Sequence, residues 1–354
     1  MTARIRFGLL SFAHFHANFW ADAINGSDKA ELVGIWDDDV TRGQAAASKY
    51  GTQFVPDLAA LLDQCDAVGI TSETAKHVAL VEAAAARGVN ILLEKPMARN
   101  LAECRRIVEI VRQSGVTFMQ NFPKRYDPIN HELIRLVRDG VLGEISLVRV
   151  RHGNAHLMEL GAAAAANWFG QREQAGGGAL LDEGIHAADL LLWLLGEPEK
   201  VSAFVSNATL GLSLEDTALA IFSYPSGALA EIATGGTLLA AEGSIEVFGT
   251  HGVAVLSGVD MASRFFARPP YLKIFRRNMG RNEWEGIDLT PNFQHGHFHH
   301  GGPLHFIEVL RGEAQPVLSL EDGWKPVAMI EAAYRASETG QAQPVTFSLD
   351  PDGK

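Results

Sequence analysis

Two short segments of the sequence combine side chains that can move protons. Asp182 and His186 are four residues apart, so they share one face if a helix has begun at Asp182. A neutral imidazole accepts a proton at physiological pH, which makes His186 a candidate general base. Lys95 precedes Pro96 and is therefore held in extended geometry, where its ammonium can polarise an oxygen or relay a proton. Taken alone, an Asp/His pair is more often a surface contact, and such a lysine is usually solvated.

Lys95 follows one of five short apolar runs in the first 120 residues. These runs alternate with segments of helical length, which is typical of βαβ units and a parallel sheet. We predict an α/β fold whose residues 1–122 form a Rossmann domain, a doubly wound parallel sheet that binds a dinucleotide. Its predicted strands are Ile5–Leu10, Glu31–Trp36, Ala67–Ile70, Asn90–Leu93 and Val116–Met119.

Asp182 and His186 lie in a predicted helix, Gly178–Leu195. This helix belongs to the second half of the chain, where the order of predicted strands and helices differs from the first half. Strands follow one another there without helices between them, which indicates an antiparallel sheet with one covered face. We predict a second domain over residues 123–354, whose C-terminal helix is a candidate to pack back on the first domain. The predicted strands are Glu144–Arg151, Val201–Ser206, Thr217–Ser223, Ala228–Thr234, Ser244–Phe248 and Val253–Leu256.

The turn after the first strand departs from the glycine-rich pattern of dinucleotide-binding sheets. That pattern, G-x-G-x-x-G, lets the backbone and a helix N-terminus approach a pyrophosphate. Residues 11–16 instead read SFAHFH, in which Ser11 and Ala13 are small but no glycine remains. An ordinary turn with a serine helix cap is the alternative interpretation.

The end of the second strand favours NAD over NADP. Asp37 lies where an acidic residue accepts hydrogen bonds from the ribose and repels a 2′-phosphate. Two alternatives stay open. Residues 37–39 can simply cap the next helix, and Arg42 can accommodate a phosphate.

Composition excludes several classes of protein. The chain has 354 residues, of which 47% are hydrophobic, and its net charge is -12. This acidity argues against nucleic acid and anionic membranes as partners. Two cysteines, Cys65 and Cys104, cannot form a disulfide framework or a four-thiolate metal site and indicate a reducing compartment. The start lacks a secretory signal, and the richest apolar run falls well short of the roughly 20 residues that span a bilayer, so we predict a soluble cytoplasmic protein.

Several motifs together resemble the glucose–fructose oxidoreductase/inositol dehydrogenase family, known as Gfo/Idh/MocA. Glu94-Lys95-Pro96 and the stretch Gly176–Asp189 match its E-K-P and G-G-G-x-x-x-D-x-G-x-H-x-x-D segments. Lys124–Pro128 is similar to its R-R-F-D-P segment, and Ser319–Gly323 is also typical. Thr71, Ser72 and His77 are similar to T-P-N-x-x-H, with Ser72 and Glu73 in place of Pro and Asn. Asn121-Phe122-Pro123 departs from the usual G-F/Y-N, which leaves the contacts of that position open.

The resemblance implies an N-terminal Rossmann domain and a C-terminal α/β domain with a large open, mostly antiparallel sheet, which serves substrate binding and oligomerisation. It implies NAD(P)-dependent oxidation of a ring hydroxyl in a sugar or cyclic polyol, or the reverse reduction, without a metal. It implies catalytic roles for Lys95, Asp182 and His186, and a Lys95–Pro96 bond that is a candidate for the cis form. The predicted cofactor residues are Ser11, Phe12, Ala13, His14, Asp37, Thr71, Ser72, His77, Glu94 and Lys95. The predicted substrate residues are Arg125, His156, Trp168, Asp182, His186 and His299.

The roles of several histidines stay open between alternatives. The run Gln294–His300 can contact substrate, form a solvated loop or bind a metal, although no cysteine or obvious carboxylate accompanies it nearby in sequence. His14 and His16 either contact the phosphates or nicotinamide or replace a polar pair at a helix start. His152, like His156 and Trp168, either lines a sugar pocket or packs. Lys124 and Arg125 either face substrate or pair with Asp127.

The leading hypothesis is an NAD-dependent oxidoreductase that acts on a sugar or cyclitol, with NADP the less favoured cofactor. The alternatives are an NAD-assisted glycoside-cleaving enzyme of the same fold and a non-catalytic NAD-binding regulator, which the missing glycines keep open. The open sheet predicts a homodimer or homotetramer.

Overall fold

The computed structural model describes residues 4–238, 243–257, 268–277, 283–289 and 297–350. The chain forms two compact units. The first comprises Met1–Tyr126 and Gln294–Trp324, and the second comprises Asp127–Phe293 and Lys325–Lys354. No helix in the described ranges is both long enough and apolar enough to cross a membrane.

The first unit is built on a five-stranded parallel sheet. Its strands are β1 (Ile5–Leu10), β2 (Ala30–Trp36), β3 (Ala67–Ile70), β4 (Asn90–Leu93) and β5 (Phe118–Gln120). They are ordered β2-β1-β3-β4-β5. Successive strands are therefore added on one side of β1 for β2 and on the other side from β3 onward, so the strand order reverses there. Open α/β sheets bind ligands at the carboxyl ends of the strands beside such a reversal. The predicted Rossmann sheet is confirmed, and β1 has the predicted bounds.

Helices flank this sheet, and side chains cap the N-termini of several of them. They are α1 (His16–Asn25), α2 (Val40–Tyr50), α3 (Leu58–Leu62), α4 (His77–Ala85) and α5 (Leu101–Ser114). Asp39 accepts from the amide of Arg42 to begin α2, and Asn100 accepts from that of Glu103 to begin α5. Thr74–Lys76 forms a 3-10 turn directly ahead of α4.

The second unit contains a nine-stranded sheet. Its strands are β6 (Ile145–Gly153), β7 (Lys200–Ser206), β8 (Thr217–Ser223), β9 (Leu229–Gly235), β10 (Ile245–Gly249), β11 (Gly252–Leu256), β12 (Leu272–Arg276), β13 (Glu285–Ile287) and β14 (Gln343–Pro344). The order is β13-β12-β11-β10-β6-β9-β8-β7-β14, and the pairing is antiparallel except between β6 and β9. Sequence patterns predicted the mostly antiparallel sheet but missed β12, β13 and β14.

One face of this sheet is covered. Along β7 and β8, buried and exposed residues alternate, and α10 (Gly184–Leu195) supplies a buried apolar side. The unit also contains α6 (Pro128–Arg138), α7 (His156–Leu160), α8 (Arg172–Ala175) and α9 (Ala179–Asp182). Two longer helices follow: α11 (His297–Leu310) belongs to the first unit, and α12 (Leu320–Thr339) begins there and continues in the second.

Candidate active site

The turn after β1 lies at the reversal point of the first sheet. Ser11 has a φ of 74°, the left-handed conformation that a glycine would adopt more easily. Its carbonyl accepts a 2.7 Å hydrogen bond from the Thr71 hydroxyl at the end of β3, and the amide of His14 donates to the Thr71 carbonyl at 3.0 Å. The ends of β1 and β3 are thereby tied together by two predicted cofactor residues, Ser11 and Thr71.

Asp37 closes the same turn from the end of β2. Its carboxylate is buried and accepts from the amide of Phe12 at 2.8 Å and from the amide of Asp39 at 3.0 Å. The guanidinium of Arg42 donates to both carboxylate oxygens, at 2.7 and 2.8 Å. The acid is therefore placed where a ribose is expected and is charge-paired with Arg42. Its predicted contact with the ribose hydroxyls stays a prediction.

Polar side chains are also buried at the ends of β3 and β4. Ser72, His77, Glu94 and Lys95 are each at most 3% exposed. His77 Nδ1 lies 3.1 Å from the carbonyl of Met97, and Asn121 Nδ2 donates to Glu94 Oε2 at 3.0 Å. Burial raises the pKa of Glu94 to about 7, against the opposing charge of Lys95. The Lys95–Pro96 bond is cis, as the resemblance implied.

Histidines from two distant segments meet beside Glu94. His16 Nδ1 lies 3.2 Å from Glu94 Oε1, and the ring centroids of His14 and His16 are 4.2 Å apart. From α11, the His299 ring lies 4.1 Å from that of His16 and stacks on Phe19. His299 of the His-rich run therefore packs on His16, which itself lies beside Glu94. Residues 294–296 of that run lie outside the described residues.

Arg125 is placed beside an acid other than the one considered from sequence. Its guanidinium lies 3.5 Å from Asp322 Oδ1. Asp127 accepts from the amide of Ile129 and caps α6. Lys124 Nζ lies 5.1 Å from the centre of the Phe298 ring, a cation–π arrangement.

In the second unit, Glu215 anchors the helix that carries Asp182. Its Oε1 accepts from the amides of Gly178 and Leu180 at 2.9 and 3.1 Å, and from the hydroxyl of Tyr334 at 2.6 Å. Gly178 fits because any Cβ there would lie 2.0 Å from the Glu215 carbonyl. The predicted single helix Gly178–Leu195 is wrong in one respect: α9 ends at Asp182, and α10 begins at Gly184. The four-residue spacing to His186 therefore crosses a helix junction.

His186 belongs to a buried group that contains a second imidazole and a carboxylate. The rings of His152 and His186 are 4.8 Å apart, and His152 Nδ1 lies 2.9 Å from Glu183 Oε2. The side-chain Nδ2 of Asn154 donates to the other oxygen of Glu183, Oε1, at 2.5 Å. A carboxylate that orients one imidazole against another is suited to accepting and passing a proton.

Two further predicted substrate residues share one aromatic neighbour. Trp168 stacks on Phe169 with ring centroids 3.8 Å apart, and His156 meets Phe169 edge-on at 5.7 Å. Both Trp168 and His156 are partly exposed, so they combine packing with an accessible surface.

Sequence reasoning missed two carboxylates of this unit, Glu183 and Glu215. Glu183 lies inside the D-x-G-x-H motif at a position that the motif leaves free. Glu215 is remote in sequence from the helix it caps. Only the fold brings them to His152 and Gly178.

Comparisons with known proteins show the family of the chain. Residues 5–122 match the model of the GFO/IDH/MocA oxidoreductase family, described as an NAD-binding Rossmann fold, and residues 131–255 match the GFO/IDH/MocA C-terminal domain. D-apiose dehydrogenase of Paraburkholderia graminis is 28% identical over 356 residues, covering 96% of this chain and 88% of that protein. The 1,5-anhydro-D-fructose reductase of Ensifer adhaerens is 27% identical and covers 97% and 99%. The WlbA dehydrogenase structure from Bordetella pertussis, with NADH and UDP-GlcNAcA, is 26% identical with a TM-score of 0.79, covering 97% and 98% of the two chains.

Proposed function

Because the chain belongs to the Gfo/Idh/MocA family of NAD-binding oxidoreductases, we propose that it transfers a hydride between a ring hydroxyl of a sugar or cyclitol and NAD. The observation that carries this proposal is the buried Glu183–His152–His186 group, because oxidising an alcohol requires an acceptor for the hydroxyl proton. The substrate class is supported by relatives named for sugar chemistry, D-apiose dehydrogenase and 1,5-anhydro-D-fructose reductase.

The first unit fits a dinucleotide at its strand reversal. Ser11 keeps the left-handed backbone of the usual glycine, and the turn is followed directly by α1. The amides of Phe12 and His14 already donate within the chain, so this turn offers fewer backbone donors than a glycine-rich one. We infer that side chains at the sheet edge, His14, Thr71 and Ser72, supply part of the missing contacts. Bound there, NAD would supply the hydride acceptor.

We assign the proton chemistry to the protein. In the proposed oxidation, His186 accepts the proton of the reacting hydroxyl, and His152 with Glu183 stabilises the positive charge that develops. Lys95 polarises the reacting oxygen, and Asp182 binds a neighbouring hydroxyl. Arg125, His156, Trp168 and His299 are assigned to substrate contacts.

We further infer that the protein forms a homo-oligomer through the uncovered face of the second sheet. Exposed apolar side chains cluster there: Phe204 and Leu219 are cross-strand partners, and Ile221 and Leu229 lie on the same face. An apolar patch of this kind marks an interaction surface. Light scattering coupled to gel filtration tests this, with Phe204→Glu expected to yield monomers. A cytoplasmic location is supported by the two buried free thiols, Cys65 and Cys104.

A screen of sugars, lactones and cyclitols for NADH formation tests the proposed reaction. We expect at least one compound to reduce NAD in stoichiometric amounts, and His186→Ala to abolish this while leaving NAD binding intact. If turnover proceeds with no net NADH, the glycoside-cleaving alternative replaces the dehydrogenase. If no tested ring alcohol reacts although NAD binds, the proposed substrate class is wrong.

A further inference from the structure

Three buried side chains of the first unit converge at the turn that is proposed to contact NAD. His14 and His16 come from the turn after β1, and Glu94 follows β4. Each offers one nitrogen or oxygen ligand atom, and these atoms all lie within 4.8 Å of one another. The residues are 2%, 5% and 0% exposed. Two imidazoles and a carboxylate form a ligand set that Zn²⁺ accepts in catalytic sites.

The spacing within the cluster suits a small divalent ion. Bonds of about 2.0–2.2 Å at tetrahedral angles place ligand atoms roughly 3.3–3.5 Å apart. The 3.2 Å separation of His16 Nδ1 and Glu94 Oε1 is close to that value. The third ligand atom lies within 4.8 Å of the other two, so metal binding would require it to move closer.

Neighbouring groups already orient the ligands. Asn121 donates to Glu94 Oε2 at 3.0 Å, which leaves Oε1 directed at His16. Such contacts to the remote atom of a ligand are characteristic of metal sites. The amide of His16 lies 3.2 Å from His14 Nδ1. A metal would displace this long contact, directly at Nδ1 or, if bound at Nε2, by moving the ring proton to Nδ1.

The surroundings exclude water and favour the neutral form of the His14 imidazole. His299 and Phe19 stack against each other with ring centroids 4.9 Å apart, and His299 packs on His16. Burial, then the neighbouring His16 and Lys95, holds the pKa of His14 well below its usual range. Lys95 and Lys124 carry positive charge near these histidines, so the Glu94 carboxylate is needed to offset a bound cation.

We propose that His14, His16 and Glu94 bind a divalent transition-metal ion of the Zn²⁺ class, with at least one coordination position left for a small oxygen ligand. The site goes beyond the proposed hydride transfer, since it requires neither NAD nor a sugar. It gives the His-x-His pair of the glycine-free turn a role that a glycine-rich turn would not need.

Metal binding to the untagged full-length protein tests the proposal without turnover. Chelator-treated protein is titrated with Co²⁺, whose visible d–d absorption reports four-coordinate binding, and with Zn²⁺ by calorimetry. We expect one equivalent to bind, and Glu94→Gln and His16→Gln each to weaken binding at least about tenfold, since loss of an outer-shell partner alone costs 10–100-fold. The matched control is His251→Gln, which removes an exposed histidine of the second unit and is expected to bind metal normally.

Thermal unfolding with and without Zn²⁺ provides a second measurement for variants of low stability. Zn²⁺ is expected to raise the Tm of the wild type and of His251→Gln, but not that of Glu94→Gln. Absence of stoichiometric binding by the wild type overturns the proposal, and so does binding that survives in both site variants. Because no step uses NAD, a negative result here leaves the proposed hydride transfer intact, and failure of the sugar screen leaves the metal site intact.

Discussion

Replacing Glu94 with Gln should change the pH dependence of stability in a direction that the structure fixes. The carboxyl is fully buried, and its pKa is raised from 4.5 to about 7, chiefly by burial. A carboxyl with a raised folded pKa stabilises the fold fully below its unfolded pKa, and this stabilisation is lost as the pH rises through the folded pKa. The wild type should therefore lose stability between pH 4.5 and about 7 on account of this group.

The size of the effect follows from the same pKa values. A rise from 4.5 to about 7 corresponds to about 3 kcal/mol, at 1.36 kcal/mol per pH unit. Gln has nearly the same shape, accepts the hydrogen bond from Asn121 and does not titrate. The stability difference between Glu94→Gln and the wild type should thus move by about 3 kcal/mol in favour of the variant between pH 5 and pH 8.

Urea unfolding of both proteins at pH 5, 6, 7 and 8, in the presence of a chelator, measures this difference. Glu109→Gln, an exposed carboxyl on α5, is the matched control and should show a small, pH-independent difference. A difference for Glu94→Gln that stays constant with pH would refute the argument, because the carboxyl would then titrate alike in the folded and unfolded chain. A stability difference that moved in the opposite direction with pH would show that the folded protein favours the charged Glu94 carboxylate.

Four other substitutions test separate steps. Lys95→Ala and His186→Ala should each lower kcat by about 10²–10⁴-fold while NAD affinity measured by fluorescence titration stays near that of the wild type; near-normal turnover in either would remove its assigned role. Asp37→Ala should weaken NAD more than NADP in the same titration, and an unchanged preference would remove the ribose contact. Gly178→Ala should destabilise the protein by about 1–3 kcal/mol in urea unfolding, since its Cβ would lie 2.0 Å from the Glu215 carbonyl; wild-type stability would show that α9 moves freely.

The elements of the first sheet could be predicted because their information is local. Each strand is a short apolar run followed by a turn, and β1, β3 and β4 have the predicted bounds. The second sheet was predicted in type but not in pairing. β6 lies parallel to β9 between otherwise antiparallel neighbours, a choice set by long-range packing that no local pattern encodes. β13 and β14 are two or three residues long, too short for alternation to be visible.

The candidate site divides in the same way. Lys95 and His186 could be identified because they lie in motifs. The contact of Glu215 with the start of α9 could not, because the two are remote in sequence. The contact between His16 and His299 could likewise not be predicted, because it forms only when α11 joins the first unit.

The carboxyl ends of the strands in the first sheet bury polar groups at a cost to stability. The interior of the same unit is apolar, with Phe7, Leu9 and Ile91 fully buried, whereas the carboxyl ends of its strands bury a carboxylate, an ammonium and imidazoles. Replacing such groups with apolar side chains is often neutral or stabilising, so their burial is weak evidence for a structural purpose. A neutral Glu94 that is more stable than the charged one above pH 7 would show this directly. This loss of stability is best explained by the binding of a ligand at the strand ends, because proteins commonly lose stability at functional sites.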